Sequence, residues 1–227
     1  NLLEERYKSH TETRELFSVS SQHYAFVVKA FVSHLKRADM TRYELFLRET
    51  RTYEIIEDVK NFRSEIGVLF LNSYNRDVLT KMFDDNRLTY TSLFKARPHI
   101  FVSKSNPLAK HEVVSLEDLE DFPYLSYDQG IHNSFYYSEE ILSQIPHKKS
   151  IVVSDRATLF NLLIGLDGYT IATGILNSNL NGDNIVSIPL DIDDEIDIVY
   201  LKHEKATLSK MGEKFLDNLV KEVTFDN

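Results

Sequence analysis

The sequence contains no cysteine, which excludes a disulfide-stapled fold, a thiolate nucleophile and any metal or haem site with cysteine ligands. No apolar run approaches the roughly 18–20 residues that a helix needs to cross a bilayer. Seven glycines leave little room for the glycine-rich loops that bind phosphate groups. Lysine and arginine total 26 against 35 acidic residues, so the formal net charge of −9 argues against this chain binding DNA or RNA by itself.

The motifs of common catalytic sites are also missing. The sequence has neither a Gly-x-Ser-x-Gly turn nor a His-Glu-x-x-His zinc helix. The histidines are scattered, and no pair has the spacing of metal ligands on one helix: they are His10, His23, His34, His99, His111, His132, His147 and His203. We therefore expect no enzymatic activity, no metal and no cofactor.

What the chain does have is the composition of a folded globular protein, with 42% hydrophobic and 27% charged residues. Its 227 residues suit one large domain or two small ones. The first eight residues lack the apolar region of a signal peptide, and the chain does not begin with methionine. We expect it to be a fragment of a longer protein.

Apolar residues alternate between strand-like runs and helical spacing throughout the chain. The first seventy residues predict a βαβαβ unit, with strands at 15–20, 43–48 and 66–71 and helices at 24–35 and 52–62. Further strands are predicted at 88–95, 99–103, 124–127, 150–154, 169–173, 185–189 and 196–201, and further helices at 115–119, 132–144, 155–164 and 208–223. This repeated alternation indicates an α/β fold with parallel sheets.

Four stretches resemble the effector-binding domain of LysR-type transcriptional regulators, in the family's order and over about residues 12–223. They are residues 16–25, 98–109, 114–127 and 162–172, and the most specific begins Val114-Ser-Leu-Glu-Asp-Leu. Two positions depart from the family pattern: Asn106 stands where histidine is usual, and the turn Gly165-Leu-Asp-Gly168 has one extra residue. That turn and the serine-rich first loop are similar to sulfur-amino-acid regulators of low-GC Gram-positive bacteria.

The resemblance implies two Rossmann-like subdomains joined by two crossover strands, in the manner of type 2 periplasmic binding proteins. Residues 13–96 and 197–227 would form subdomain I, residues 97–196 subdomain II, and residues 1–12 the end of a linker helix. It also implies a cytoplasmic homodimer or homotetramer that binds a small-molecule effector and no membrane. DNA would be bound only through an N-terminal winged helix-turn-helix that this chain lacks.

The resemblance places the effector in a cleft between the subdomains, at the carboxyl ends of parallel strands. The first loop would bind an anionic end, because hydroxyls and a helix N-terminus both donate hydrogen bonds there. Hydroxyl-rich positions at the other strand ends complete the predicted site, which comprises Ser18, Ser20, Ser21, Gln22, Thr50, Thr52, Ser126, Ser154, Asp155 and Thr170. The alternative for several of these residues is simple helix capping or a place within a strand.

These residues carry few fixed charges. This favours a small polar zwitterion or anion as the effector, such as an O-acylated serine or homoserine. Two other functions stay open at this point. A solute-binding protein of a transporter shares the two-lobed architecture, but the chain shows no secretion signal. An enzyme on the same fold, of the prephenate dehydratase type, would need a Thr-Arg-Phe-type motif that the sequence lacks.

Overall fold

A computed structural model of the chain describes residues 15–37, 42–176 and 182–224. The predicted end of a linker helix at residues 1–12 lies outside these residues. The described part contains ten strands, which are β1 (Glu15–Ser21), β2 (Tyr43–Glu49), β3 (Ile66–Leu71), β4 (Leu88–Ala96), β5 (His99–Ser103), β6 (Tyr124–Tyr127), β7 (Ser150–Val153), β8 (Tyr169–Ala172), β9 (Ile185–Pro189) and β10 (Ile196–His203).

Within these described ranges, five α-helices connect or cover the strands: α1 (Ala25–Arg37), α2 (Thr52–Lys60), α3 (Arg76–Asp85), α4 (Arg156–Leu166) and α5 (Lys210–Thr224). Three short 3₁₀ helices lie at Pro107–Lys110, Glu117–Leu119 and Phe135–Tyr137. In the part of the chain that the structure describes, no helix combines the length and apolar character needed to cross a membrane.

The strands form two separate five-stranded sheets. In the first sheet the order is β2-β1-β3-β10-β4, with β1 parallel to β2 and β3, and β10 antiparallel to its neighbours. In the second sheet the order is β7-β6-β8-β5-β9, with β6 parallel to β7 and β8, and β5 antiparallel to β8 and β9. The predicted α/β class with parallel strands is confirmed. The chain passes between the sheets twice, before β5 and before β10.

Burial of apolar faces explains these elements. All six residues of β3 are buried, as expected for a central strand covered on both faces. Helix α1 buries a stripe that includes Phe26, Ala30 and Phe31, and it packs beside α5. The ring of Phe31 lies 6.1 Å from that of Phe215, which is fully buried. The apolar interior beside the first sheet is therefore closed by α1 and α5.

Two local predictions are wrong. Helix α2 ends at Lys60, so Phe62 leaves the predicted helical stripe; it has a positive φ of 58° and its side chain is 63% exposed. The predicted helix at 132–144 is absent from the described chain, which has only the 3₁₀ turn Phe135–Tyr137 there. Ring stacking of His132 on Tyr53 and of Tyr136 on Tyr74 ties this segment to the first-sheet side. Such tertiary contacts override a local helical pattern.

Candidate functional site

The carboxyl ends of strands in the two sheets face each other, and polar side chains connect them. Arg51 follows β2 and Asp128 follows β6, and the Arg51 Nη2 atom lies 2.6 Å from the Asp128 Oδ2 atom. The Nε–H group of Arg51 also donates to the backbone oxygen of Asp128 at 3.2 Å. Because both side chains are more than a third exposed, we expect this ion pair to contribute only modestly to stability.

The second connection is a hydrogen bond between a backbone N–H and a glutamine side chain. The backbone N–H of Thr52, at the start of α2, donates to Gln129 Oε1 at 3.1 Å. The Thr52 hydroxyl accepts from Gln22 Nε2 at 2.7 Å, and Gln22 Oε1 accepts from Tyr24 and from the backbone of Phe70. Gln22 is 1% exposed. Its side chain therefore fixes the start of α2 relative to β1 and β3.

A third connection is an ion pair between His23, just after β1, and Glu139, from the segment before β7. Glu139 Oε1 accepts from the backbone N–H of His23 at 2.8 Å, and the His23 Nδ1 atom lies 2.9 Å from Glu139 Oε2. The ring of Tyr127 stacks on that of His23 at 4.0 Å. Burial works to lower the pKa of His23, but the hydrogen bond and charge of Glu139 outweigh it, and the pKa is raised.

A fourth connection is the ion pair between Arg156, the first residue of α4, and Glu49, the last residue of β2, at 3.1 Å. Burial raises the pKa of Glu49, although Arg156 opposes this effect. Beside this pair, Glu140 is 3% exposed and accepts the backbone N–H of Tyr127 at 3.0 Å. Burial and the neighbouring charge of Glu139 raise the pKa of Glu140 well above its usual range.

Groups of the third and fourth connections line a cavity of about 50 Å³ between the two sheets. Its polar wall consists of His23, Tyr127, Glu139, Glu140, Arg156 and Thr170. Along α4 lies a larger and more open hollow of about 600 Å³, which shares Arg156 and Phe160 with the cavity. The two spaces form the candidate cleft, whose walls combine apolar side chains with carboxylates and cations, as in sites for small polar molecules. Within the described ranges, no group of three or more His, Asp or Glu residues could hold a metal ion.

The family model described as the LysR substrate binding domain matches residues 27–224. The chain belongs to this family. It is thus the effector-binding domain of a LysR-type regulator, and its two α/β sheets have the expected fold of type 2 periplasmic binding proteins. Membership of this family does not favour the alternative that the chain is a solute-binding protein of a transporter. No curated protein matches the chain.

Solved structures of LysR-type regulators share the fold at low identity. The reduced OxyR regulatory domain from Pseudomonas aeruginosa is 12% identical, with a TM-score of 0.65 over 92% of this chain and 100% of that one. The BenM effector-binding domain with its effector benzoate is 17% identical, with a TM-score of 0.62 and 94% of each chain covered. The QuiR effector-binding domain in complex with shikimate is 15% identical, with a TM-score of 0.59 over 92% and 97%.

In this LysR domain, some of the predicted site residues lie at the cleft. Thr170 lines the cavity, and Gln22 and Thr52 support its edge through the contacts described above. Asp155 borders the open hollow, where its carboxylate accepts the backbone N–H of Thr158 and so caps α4. Four further predicted residues stand near strand ends: Ser21, which donates to the Gln22 backbone oxygen, Thr50, which donates to Glu54, the half-buried Ser126 and the exposed Ser154.

The remaining two predicted residues lie away from the cavity. Ser20 is fully buried and donates to Asp58 at 2.6 Å, with Ser64 also within 2.7 Å. Ser18 accepts the backbone N–H of Glu65 at 3.3 Å and lines a different hollow. Alternate residues of a strand point to opposite faces, so Ser18 and Ser20 share a face that α2 and its C-terminal turn occupy. Membership of these ten residues in an effector site stays a prediction.

The groups that dominate the cleft were not among the predicted residues. His23, Gln129, Glu139, Glu140 and Arg156 supply most of its charge and cross-cleft bonding. Glu139 and Glu140 lie in the segment that was wrongly predicted as a helix. A helix there gave no reason to expect these two residues near the end of β1. One available signal was the position of His23 directly after the first strand, where the α/β rule expects a ligand-contacting residue.

Proposed function

We propose that this LysR domain is the ligand-sensing part of a DNA-binding transcription factor and binds a small polar metabolite between its two sheets. The metabolite class is an amino-acid precursor or a small anion. The observation that carries this proposal is the set of four polar connections across the cleft, which join Arg51, Thr52, His23 and Glu49 to the second-sheet side. A protein without a cleft ligand has little need for so many polar groups at the mouth of an internal cavity.

The four connections also suggest how sensing would work. Each of them is lost if the sheets separate, and a ligand that bridges the same groups would stabilise the closed arrangement. The ligand biases the closed state only by its differential affinity for the closed and open states. We propose that residues 13–96 and 197–227 form one subdomain and residues 97–196 the other, with the two passages of the chain between the sheets as hinges.

Relatives support the ligand class in general terms. BenM is described with benzoate and QuiR with shikimate, and both of these compounds are small organic acids. The serine-rich first loop and the Gly-Leu-Asp-Gly turn support the narrower proposal of a sulfur-amino-acid regulator of low-GC Gram-positive bacteria. We further propose a cytoplasmic homodimer or homotetramer, with DNA bound through an N-terminal winged helix-turn-helix and no catalytic activity.

A thermal-shift screen of this 227-residue chain tests the proposal. The panel is amino acids, O-acylated serine and homoserine, sulfate and thiosulfate. A specific ligand at a hundredfold excess over its dissociation constant stabilises the folded state by about 2.7 kcal/mol, which raises the midpoint. We expect at least one selective hit. A screen in which no compound raises the midpoint would contradict the proposal.

Two variants connect a hit with the cleft. Arg51→Ala removes the ion pair with Asp128 at the cleft mouth, so we expect it to change the dissociation constant of the hit. Lys81→Ala is the matched control, because Lys81 pairs with Asp85 on the exposed surface of α3. Equal effects of the two variants on the dissociation constant would place the ligand elsewhere.

A further inference from the structure

We propose that the cavity between the sheets is a subsite for an ammonium group, and that the Glu140 carboxylate is its partner. The inference rests on the proposed function and narrows it to ligands that carry a positively charged amine. It follows from the hydrogen bonding of one buried carboxylate, from the ion pair that a neighbouring carboxylate already makes, and from the balance of charge around the cavity.

The Glu140 side chain has one satisfied oxygen and one unsatisfied oxygen. Its Oε1 atom accepts the backbone N–H of Tyr127, whereas Oε2 is buried and has no hydrogen-bond partner among the described residues. The residue is 3% exposed and lines the cavity. A buried carboxylate oxygen without a donor is costly, so a group that brings N–H donors to this point would be bound favourably.

The neighbouring Glu139 carboxylate already occupies the place where an anionic ligand would be expected. It accepts the backbone N–H of His23 at the start of α1 and pairs with the His23 ring. Helix N-termini attract anions, and here the chain supplies its own anion. A ligand carboxylate would have to displace Glu139, whereas a ligand ammonium group would meet an oxygen that is free.

The charges around the cavity favour a cation as well. Two carboxylates, from Glu139 and Glu140, and two cationic side chains, His23 and Arg156, line the cavity, and a third carboxylate, Glu49, pairs with Arg156 beside it. When all five groups are ionised, the excess is one negative charge, which one ammonium group neutralises. Without a cation, a proton retained by Glu140 removes this excess, since a buried uncompensated charge is expensive, and an ammonium group would take the place of that proton.

The space available fits a small group. A site for one water molecule needs about 10–15 Å³ of such free volume, so a cavity of about 50 Å³ has room for an ammonium group and part of the chain that carries it. The rest of such a ligand would extend into the open hollow along α4, which shares Arg156 and Phe160 with the cavity.

Release of a proton on binding is a second measurable property of the proposed subsite. Burial and the charge of Glu139 raise the pKa of Glu140, so without a cation this carboxyl group retains a proton to higher pH than usual. The groups around it are His23, Glu49, Glu139, Arg156 and the buried phenols of Tyr24, Tyr124 and Tyr127. An arriving ammonium group stabilises the ionised form, so its binding should release a proton.

Two isomers that differ in their amine provide the test. O-acetyl-L-homoserine has a free ammonium group and N-acetyl-L-homoserine has none, and methylammonium serves as the isolated cation. Calorimetry of the 227-residue chain in two buffers of different ionisation enthalpy measures affinity and proton release together. We expect O-acetyl-L-homoserine to bind about tenfold more tightly than its isomer, with proton release, because a charge-assisted hydrogen bond is lost in the isomer.

Variants assign the effect to one residue. Glu140→Gln should abolish the preference for the amine and the proton release, Glu140→Asp should restore part of both, and the control Glu112→Gln, at an exposed position, should change neither.

If Glu140→Gln does not fold, the side-chain carboxyl ¹³C resonance of Glu140 in the unaltered protein is followed on addition of methylammonium. An unchanged resonance overturns the proposal. Equal affinity for the two isomers, or no binding by any of the three probes, would overturn the ammonium subsite and leave the proposed function standing; the proposed function fails only if no compound of the thermal-shift panel raises the midpoint.

Discussion

The ion pair between His23 and Glu139 closes the cleft, and replacing Glu139 by glutamine is the sharpest test of its strength. The pair is buried, with side-chain exposures of 7% and 3%, and it joins the start of α1 to the segment before β7. Glu139→Gln removes one charge and keeps the shape of the side chain. The amide oxygen can still accept the backbone N–H of His23, so the substitution isolates the ionic part of the contact.

Removing one partner of a buried ion pair typically costs about 3–5 kcal/mol. We expect the lower end of this range, about 3 kcal/mol near pH 6. One hydrogen bond survives the change, and the loss of the Glu139 charge also relieves its repulsion of Glu140, whose pKa it raises. In addition, His23 can lose its proton, which limits the cost of leaving a buried cation unpaired.

The sign of the pH dependence follows from the raised pKa of His23. In the unaltered protein, the stability from this group is fully present below the unfolded pKa of 6.5 and is lost as the pH rises through the folded pKa. In the variant, burial remains and lowers the pKa of His23, so the variant becomes more stable as the pH rises through that range. The stability difference should therefore shrink from about 3 kcal/mol near pH 6 to below about 1 kcal/mol near pH 9.

Urea unfolding followed by far-ultraviolet circular dichroism or tyrosine fluorescence gives this difference, since the chain has 12 tyrosines and no tryptophan. The exposed Glu112→Gln variant controls for the loss of one acidic charge. A loss of stability that is equal at the two pH values would show that the contact is not ionic in the folded state and would refute the reasoning. A loss below about 0.5 kcal/mol near pH 6 would refute the burial argument.

Three further predictions concern other parts of the structure. Leu159→Ala, on the fully buried face of α4, should cost about 3 kcal/mol in urea unfolding through the cavity it leaves, and a loss below about 1 kcal/mol would contradict the packing. Asp155→Ala should lower the urea midpoint by removing the cap on Thr158, with no change in effector affinity if its role is structural. Ser20→Ala should destabilise the domain by about 1–3 kcal/mol, because it removes a donor to the buried Asp58; a changed effector affinity instead would return Ser20 to the binding site.

The course of the strands and most helices could be predicted because burial leaves a periodic mark on the sequence. The continuous apolar run of β3 and the spaced apolar residues of α5 are examples, since each reports which face meets a core. The segment 132–144 could not be predicted in this way. Its conformation depends on ring contacts with Tyr53 and Tyr74, which are far away in the chain, and on hydrogen bonds that backbone N–H groups outside the segment donate to Glu139 and Glu140.

The edge of the candidate site could be predicted, but its chemistry could not. The rule that ligands meet the carboxyl ends of parallel strands leads to Gln22, Thr52 and Thr170, which lie at or beside the cavity, and their place in an effector site stays a prediction. It could not decide which serines face the cleft, because one step along a strand moves a side chain to the other face of the sheet. Ser20 illustrates this limit, since its hydroxyl donates a hydrogen bond to Asp58 and does not line the cavity.

The two departures from the family pattern turn out to be in contact. Asp167, the extra residue of the turn after α4, has the left-handed φ of 52° that ends the helix. Its backbone oxygen accepts the side-chain N–H of Asn106 at 2.8 Å, and the Asn106 oxygen accepts the backbone N–H of Leu108. A carbonyl at a helix end needs a partner outside the helix. An asparagine, with one donor and one acceptor at its tip, can satisfy that carbonyl and start the next turn at the same time, so the two changes act as one structural unit of the second sheet.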